Sequence, residues 1–305
     1  MNKEEIIKKI KELKRRKGAV ILVHNYQRGE VQDIADFIGD SLELSKIAQK
    51  MDCRIIVFCG VRFMAETAKI LSPGKKVLLT RKEAGCPMAD MITKDALKKL
   101  KEKYPGTKVV SYVNTNADVK AESDVCCTSA NAVEVVRNME TEKIIFVPDR
   151  NLASYVAMSL PDKEIIPYNG YCYVHERISR EDITKARKDH PDAKVIVHPE
   201  CRAEVVQIAD MVASTGGMVK FARESTSKEF IIGTEEGIIH RLRKENPEKK
   251  FYPISPLPVC RDMKLTTLED VYTCLKEEKY EVEIEESIIE SARKALEKML
   301  QYTKS

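Results

Sequence analysis

Along this chain, short unbroken apolar runs alternate with stretches in which apolar positions recur every three or four residues. Residues 4–17 carry Ile6, Ile7, Ile10 and Leu13 at helical spacing, and Gly18 follows where a C-terminal glycine cap belongs. Next comes Ala19-Val20-Ile21-Leu22-Val23, which runs into the polar His24-Asn25-Tyr26. A helix over 42–50 with Ser41 as N-cap, a strand over 54–59, a helix over 63–71 and a strand over 76–80 complete the cycle. Apolar runs bounded by amphipathic helices predict parallel strands buried on both faces.

The cycle recurs in register. A helix over 93–103 precedes a strand over 109–114, as a helix over 180–189 precedes one over 195–200. His24, Tyr112 and His198 end equivalent strands, 88 and 86 residues apart. An aspartate stands five positions before a hydroxyl three times: Asp36 and Ser41, Asp124 and Ser129, Asp210 and Thr215. A lysine precedes each last strand, at Lys76, Lys163 and Lys250, and each such strand leads into a cysteine, Cys86, Cys172 or Cys260. Landmarks sharing so long a period predict repeated domains rather than solenoid units. The expected fold is α/β: three sequential homologous three-layer domains with small parallel sheets of three strands each, around a pseudo-threefold axis. The domains cover 1–86, 87–172 and 173–260, and a helical segment over 261–305 packs back on the first.

Ligands of open α/β sheets bind outside the carboxyl ends of the strands. Three copies facing one axis would bring His24, Asn25, Tyr26, Tyr112, Asn114, His198 and Glu200 around one pocket. Ser41, Ser129 and Thr215 would head helices aimed into it. Helix N-termini favour anions, so a substrate with several carboxylates or phosphates fits. Three cysteines on one axis suit a metal centre, either an iron-sulfur cube with one open iron or a zinc site.

Composition narrows the classes. The formal charge of +4 arises from 52 basic and 48 acidic residues dispersed along 305, with no basic arm to argue for nucleic acid. No stretch approaches the ~18 apolar residues of a membrane span. Nine cysteines without a secretory signal point to reduced thiols and a cytoplasmic location. Cys53, Cys59, Cys126, Cys127, Cys201 and Cys274 read as small core residues, and His190 and His240 as surface residues. His175, close to Cys172, is a further ligand candidate.

The motifs resemble those of the quinolinate synthase family over essentially the whole chain. They are Val23-His24-Asn25-Tyr26-Gln27, Asp33-Ile34-Ala35-Asp36-Phe37-Ile38-Gly39-Asp40-Ser41, Phe63-Met64-Ala65-Glu66, Cys86-Pro87-Met88-Ala89, Tyr112-Val113-Asn114 and Thr128-Ser129-Ala130-Asn131-Ala132-Val133, then His198-Pro199-Glu200-Cys201, Ser214-Thr215-Gly216-Gly217-Met218 and Gly233-Thr234-Glu235. The resemblance implies condensation of iminoaspartate, delivered by an aspartate oxidase or dehydrogenase, with dihydroxyacetone phosphate. Quinolinate, an NAD precursor, forms with loss of phosphate and two waters. It also implies one 4Fe-4S cluster per chain, held by the three cysteine ligands Cys86, Cys172 and Cys260, its open iron acting as Lewis acid. By motif, His24, Ser41, Tyr112, Val113, Asn114, Ser129, His198, Pro199, Glu200 and Thr215 bind substrate, and Glu200, Tyr26, His24 and His198 are catalytic. Two positions depart from the family: Tyr171 stands where members carry histidine, and Arg62 where aspartate or histidine is frequent. The rival readings are an iron-sulfur dehydratase of another polycarboxylate and a non-catalytic iron-sulfur sensor.

Overall fold

Gly18 ends the helix Lys3–Lys17 in the left-handed region, at φ 60°, and turns the chain into the first strand. In the computed structural model, which describes residues 2–303, three four-stranded sheets follow one another, and neighbouring strands in each are parallel. The first sheet holds β1 (Ala19–His24), β2 (Phe37–Gly39), β3 (Ile55–Cys59) and β4 (Lys76–Leu79). The second holds β5 (Lys108–Tyr112), β6 (Val125–Cys127), β7 (Lys143–Val147) and β8 (Glu164–Pro167). The third holds β9 (Lys194–Val197), β10 (Met211–Val212), β11 (Glu229–Gly233) and β12 (Lys250–Pro253). Strand orders are β2-β1-β3-β4, β6-β5-β7-β8 and β10-β9-β11-β12, one topology three times. Every residue of β3 is buried, as an apolar run covered on both faces requires.

Each sheet thus has one strand more than the apolar pattern predicts. β2, β6 and β10 are three, three and two residues long, too short to leave a run. The repeated aspartate builds them. Asp36, Asp124 and Asp210 each donate the backbone N–H to a carbonyl of the neighbouring strand, that of Ile21, Val109 or Val195. Their carboxylates accept the amides of those same residues at 2.8, 2.9 and 2.8 Å. Each aspartate therefore supplies a two-point rung that starts a strand with few residues of its own.

The repeated lysine is one position earlier than the spacing suggested in two units. Sheet register makes Lys76, Glu164 and Lys250 equivalent, so the recurring residues are Lys75, Lys163 and Lys249. Each ammonium clamps two carbonyls at or just beyond the C-terminal end of a preceding helix. Lys75 reaches those of Ala48 and Met51, Lys163 those of Met139 and Thr141, and Lys249 those of Ala222 and Ser225. These acceptors lie near helix ends, where carbonyls lack intrahelical partners and favour a cation.

The first two units share one apolar core, which includes Leu22, Ile56, Val110 and Phe146 together with Ala292, Leu296 and Met299 of the helix Glu286–Tyr302. That helix lies against Ala117–Ala121, β6 and Arg62–Leu71, while the helix Leu268–Glu277 lies on Lys3–Lys17. The third unit has two cores of its own, one on each face of its sheet. Among the described residues no helix is long and apolar enough to cross a membrane. Lys249 is only 9% exposed, and Lys249→Met would strand both of its carbonyl partners. Urea unfolding is expected to show a loss of about 1–3 kcal/mol, with the slope unchanged.

Candidate active site

Strands β1, β5 and β9 lie where the strand order reverses, so a crevice opens beyond their carboxyl ends. There the repeat places three equivalent triplets: His24-Asn25-Tyr26, Tyr112-Val113-Asn114 and His198-Pro199-Glu200. The first and third members of all three line one central cavity. Asn25, Val113 and Pro199 do not line it. Ser41, Ser129, Thr215, Cys86, Cys172 and Cys260 do.

At two of the three hydroxyls another residue caps the helix. Asp40, not Ser41, is the N-cap of Ser41–Lys50: its carboxylate accepts the amides of Leu42 and Glu43, and Glu43 returns a bond to the Asp40 N–H. Ser214 caps Thr215–Glu224, and Ser129 sits in a turn three residues before Ala132–Arg137. The expected heads of helices are therefore shifted by one residue at Ser41 and Thr215 and by more at Ser129.

Glu200, 3% exposed, is the centre of the site. Tyr112 Oη donates to its Oε1 at 2.5 Å, His175 Nδ1 is 2.6 Å from its Oε2, and His198 Nδ1 is 3.8 Å from the same oxygen. Burial alone would raise its pKa; the imidazoles of His198 and His175 and the bonds from His175 and Tyr112 overcome this and hold it down at about 2. On the far side of His175, Nε2 is 2.8 Å from Thr234 Oγ1, which is 2.5 Å from Tyr26 Oη. A run of close contacts Tyr112–Glu200–His175–Thr234–Tyr26 results, in which the Glu200–His175 step is a 2.6 Å ion-pair contact whose angle falls outside hydrogen-bond geometry. Burial, then the Glu200 charge, pushes both phenols well above their usual range, so they stay protonated donors.

His24 and His198 are held alike. Nδ1 of each accepts a backbone N–H two residues on, from Tyr26 at 3.2 Å and Glu200 at 3.3 Å. The neutral ring therefore carries its proton on Nε2. Burial drops both pKa values to about 3, against a partial opposing pull from Glu200. Asn114 Oδ1 is buried with no protein partner.

His175 and Thr234 had no assigned role in the motif reading, and neither had Glu235 and Lys264. Lys264 Nζ bonds the Tyr26 carbonyl at 2.8 Å and Glu235 at 2.9 Å, and Glu235 accepts the Cys260 amide at 3.1 Å. The signal was available for Thr234 and Glu235, which follow β11 at the carboxyl edge just as His24 ends β1. His175 had only its place one helical turn after Cys172, in Tyr173–Glu176.

The metal expectation needs correction. The group of metal-capable side chains that converges among the described residues is Cys172, His175 and Glu200, whose ligand atoms lie within 4.8 Å of one another. It is one thiol, one imidazole and one carboxylate, not the three cysteines Cys86, Cys172 and Cys260 expected to hold a 4Fe-4S cluster. Repeat spacing brings those three to one cavity, but the turn after Cys172 drives His175 against Glu200, so the tight set mixes donor types. The three thiols are half-buried, and desolvation raises their pKa values. This donor set does not fit a three-thiolate cluster.

A family profile described as quinolinate synthetase A protein matches residues 8–301. The chain belongs to the quinolinate synthase family. It is 56% identical to the quinolinate synthase of Thermodesulfovibrio yellowstonii, over 96% of this chain and 97% of that one. It is 55% identical to that of Caldicellulosiruptor saccharolyticus over 99% of both chains, and 53% identical to quinolinate synthase 1 of Methanosarcina acetivorans over 98% of both. Membership in the quinolinate synthase family makes the chain an iron-sulfur-dependent enzyme of condensation and dehydration.

The buried imidazoles set an acid limit on stability. His24 and His198 bind fewer protons folded than unfolded between about pH 3 and 6.5. Stability should fall as pH drops through that window, by up to ~1.4 kcal/mol per pH unit for each ring. Urea midpoints measured from pH 7 to 4 are expected to decline, and His24→Gln to flatten the slope.

Proposed function

We propose that the chain makes quinolinate from iminoaspartate and dihydroxyacetone phosphate, releasing phosphate and two waters, with its own side chains moving the protons. The observation that carries the reading is the buried chain Tyr112–Glu200–His175–Thr234–Tyr26 on the wall of a cavity ringed by neutral donors. Carbon–carbon bond formation, ring closure and two dehydrations each need a proton taken from carbon or nitrogen and another given to a departing oxygen.

Ionised Glu200 holds His175 with its proton on Nδ1, which leaves Nε2 to accept from Thr234. Thr234 in turn accepts from Tyr26. A proton drawn from substrate by Tyr26 can thus be passed to the Glu200–His175 pair, which acts as the base, and returned to a leaving hydroxyl. Nε2–H of His24 and His198 would polarise the carbonyl and hydroxyl oxygens of the three-carbon substrate. Ser41, Ser129 and Thr215 would hold carboxylates or phosphate, Tyr112, its proton held by Glu200, would accept from a substrate hydroxyl or N–H, and the unpartnered Asn114 Oδ1 suits an imine or amine N–H. Val113 and Pro199 act from behind the wall, fixing the turns that present their neighbours.

Iminoaspartate hydrolyses in water, which supports delivery by an aspartate oxidase or dehydrogenase. Nine thiols without a disulfide favour work in the cytoplasm.

The test is quinolinate formation by anaerobically prepared enzyme supplied with both substrates; an intact enzyme that forms none would remove the assignment. Glu200→Gln is expected to lower kcat by about 10²- to 10⁴-fold with the far-UV circular dichroism unchanged. Thr234→Val should lower kcat similarly, because the methyl cannot pass a proton between Tyr26 and His175. Normal turnover in either variant would take that residue out of the mechanism.

A further inference from the structure

Asn25 was expected on the cavity wall but stands behind it, fully buried, between two partners. Its Oδ1 lies 2.9 Å from Arg241 Nη1, and its Nδ2 lies 2.9 Å from Thr215 Oγ1. A guanidinium only donates, so the amide oxygen must face Arg241 and the amide NH₂ must face Thr215. Arg241 is itself fixed, by Glu245 at Nε, 2.6 Å away, and by the Ile38 carbonyl at Nη1, 3.2 Å away. Thr215 Oγ1 therefore accepts from Asn25, and its own proton is left for another acceptor. Thr215 lines the cavity.

We propose that Arg241 and Asn25 are positioning residues that lock the Thr215 hydroxyl as a hydrogen-bond donor into the cavity, where it selects an anionic oxygen of a substrate carboxylate or phosphate. The counterparts of Asn25 in the other two units are Val113 and Pro199, whose side chains have no hydrogen-bonding group, so the device exists at one corner of three. The pseudo-symmetric cavity thereby gains a corner of fixed polarity, which orients substrates that are not themselves threefold. The inference rests on the proposed function for the identity of the anions.

Asn25→Asp separates this role from mere packing. Aspartate has nearly the size of asparagine and pairs with Arg241 at least as well, so a packing role requires unchanged thermal stability and unchanged kinetics. A carboxylate only accepts, however, and would draw the Thr215 proton away from the cavity. The expected result is an unchanged Tm, kcat within about threefold, and a KM raised about tenfold or more for one substrate. A rise for dihydroxyacetone phosphate assigns the corner to phosphate, and a rise for iminoaspartate assigns it to a carboxylate. Arg241→Met, which frees the Asn25 amide to flip, should shift the same KM by less. In a Thr215→Val background Asn25→Asp should add little further effect. A full-sized effect there would mean that charge, not the hydroxyl, is responsible, and would overturn the proposal, as would unchanged KM values in both single variants. Wild-type enzyme that makes no quinolinate overturns the function and this inference together. Wild-type turnover with unaltered variants overturns the inference alone.

Discussion

One buried negative charge organises this molecule. A carboxylate as enclosed as Glu200 would cost several kcal/mol if left unpaired. What keeps it ionised comes from across the fold: Tyr112 ends an inner strand of the second sheet, and His175 follows the second sheet's last strand. The charge is therefore supported only when the second and third units are docked, and the first unit is tied in through Thr234 and Tyr26. Assembly of the units and assembly of the proton path are the same event.

The scaffold and the site treat the repeat differently. Devices that hold the backbone are kept three times: the aspartate rung at 36, 124 and 210, and the lysine clamp at 75, 163 and 249. Positions that face the cavity have diverged, from His24 to Tyr112 to His198, and from Tyr26 to Asn114 to Glu200. A threefold backbone supplies three equivalent directions of approach, but the chemistry needs a base, neutral donors and an amide acceptor in different places. Divergence at the strand ends is the expected consequence of placing an asymmetric reaction on a symmetric frame.

The three-domain architecture was legible because its signals were long-range and redundant: apolar runs with helical stretches between, and landmarks in one register. The strands that escaped notice are those whose pairing rests on a side chain, Asp36, Asp124 or Asp210, rather than on an apolar run. The lysine register slipped by one because neighbouring lysines at 75 and 76, and again at 249 and 250, look alike until sheet pairing separates them. Most of the candidate site was legible as well, since the carboxyl-edge rule and the motifs select the same residues. Lys264 was not, because it acts through a contact with a distant unit and nothing local marks it, and His175 was marked only by its place beside Cys172, not by its contact with Glu200. The cysteines misled in a specific way. Equal spacing brings three thiols to one cavity, but spacing does not measure how closely sulfur atoms converge, and the tight donor set draws on His175 and Glu200 instead.

Among the described residues, no lysine or arginine lines the cavity. Its two strand-end imidazoles are neutral, and Lys264 is engaged by Glu235 and the Tyr26 carbonyl. Recognition must then come from oriented neutral donors, the Nε2–H groups, the hydroxyls and the helix amides near Ser41 and Thr215. Such donors cost less to bury than imidazolium ions, and their hydrogens are fixed by neighbours before substrate arrives: Nδ1 of each histidine is occupied by a backbone amide. Placing the caps at Asp40 and Ser214 leaves Ser41 and Thr215 at the first helical position, where they line the cavity. Preorganised neutral polarity, rather than accumulated positive charge, is what surrounds the one ionised carboxylate of the cavity.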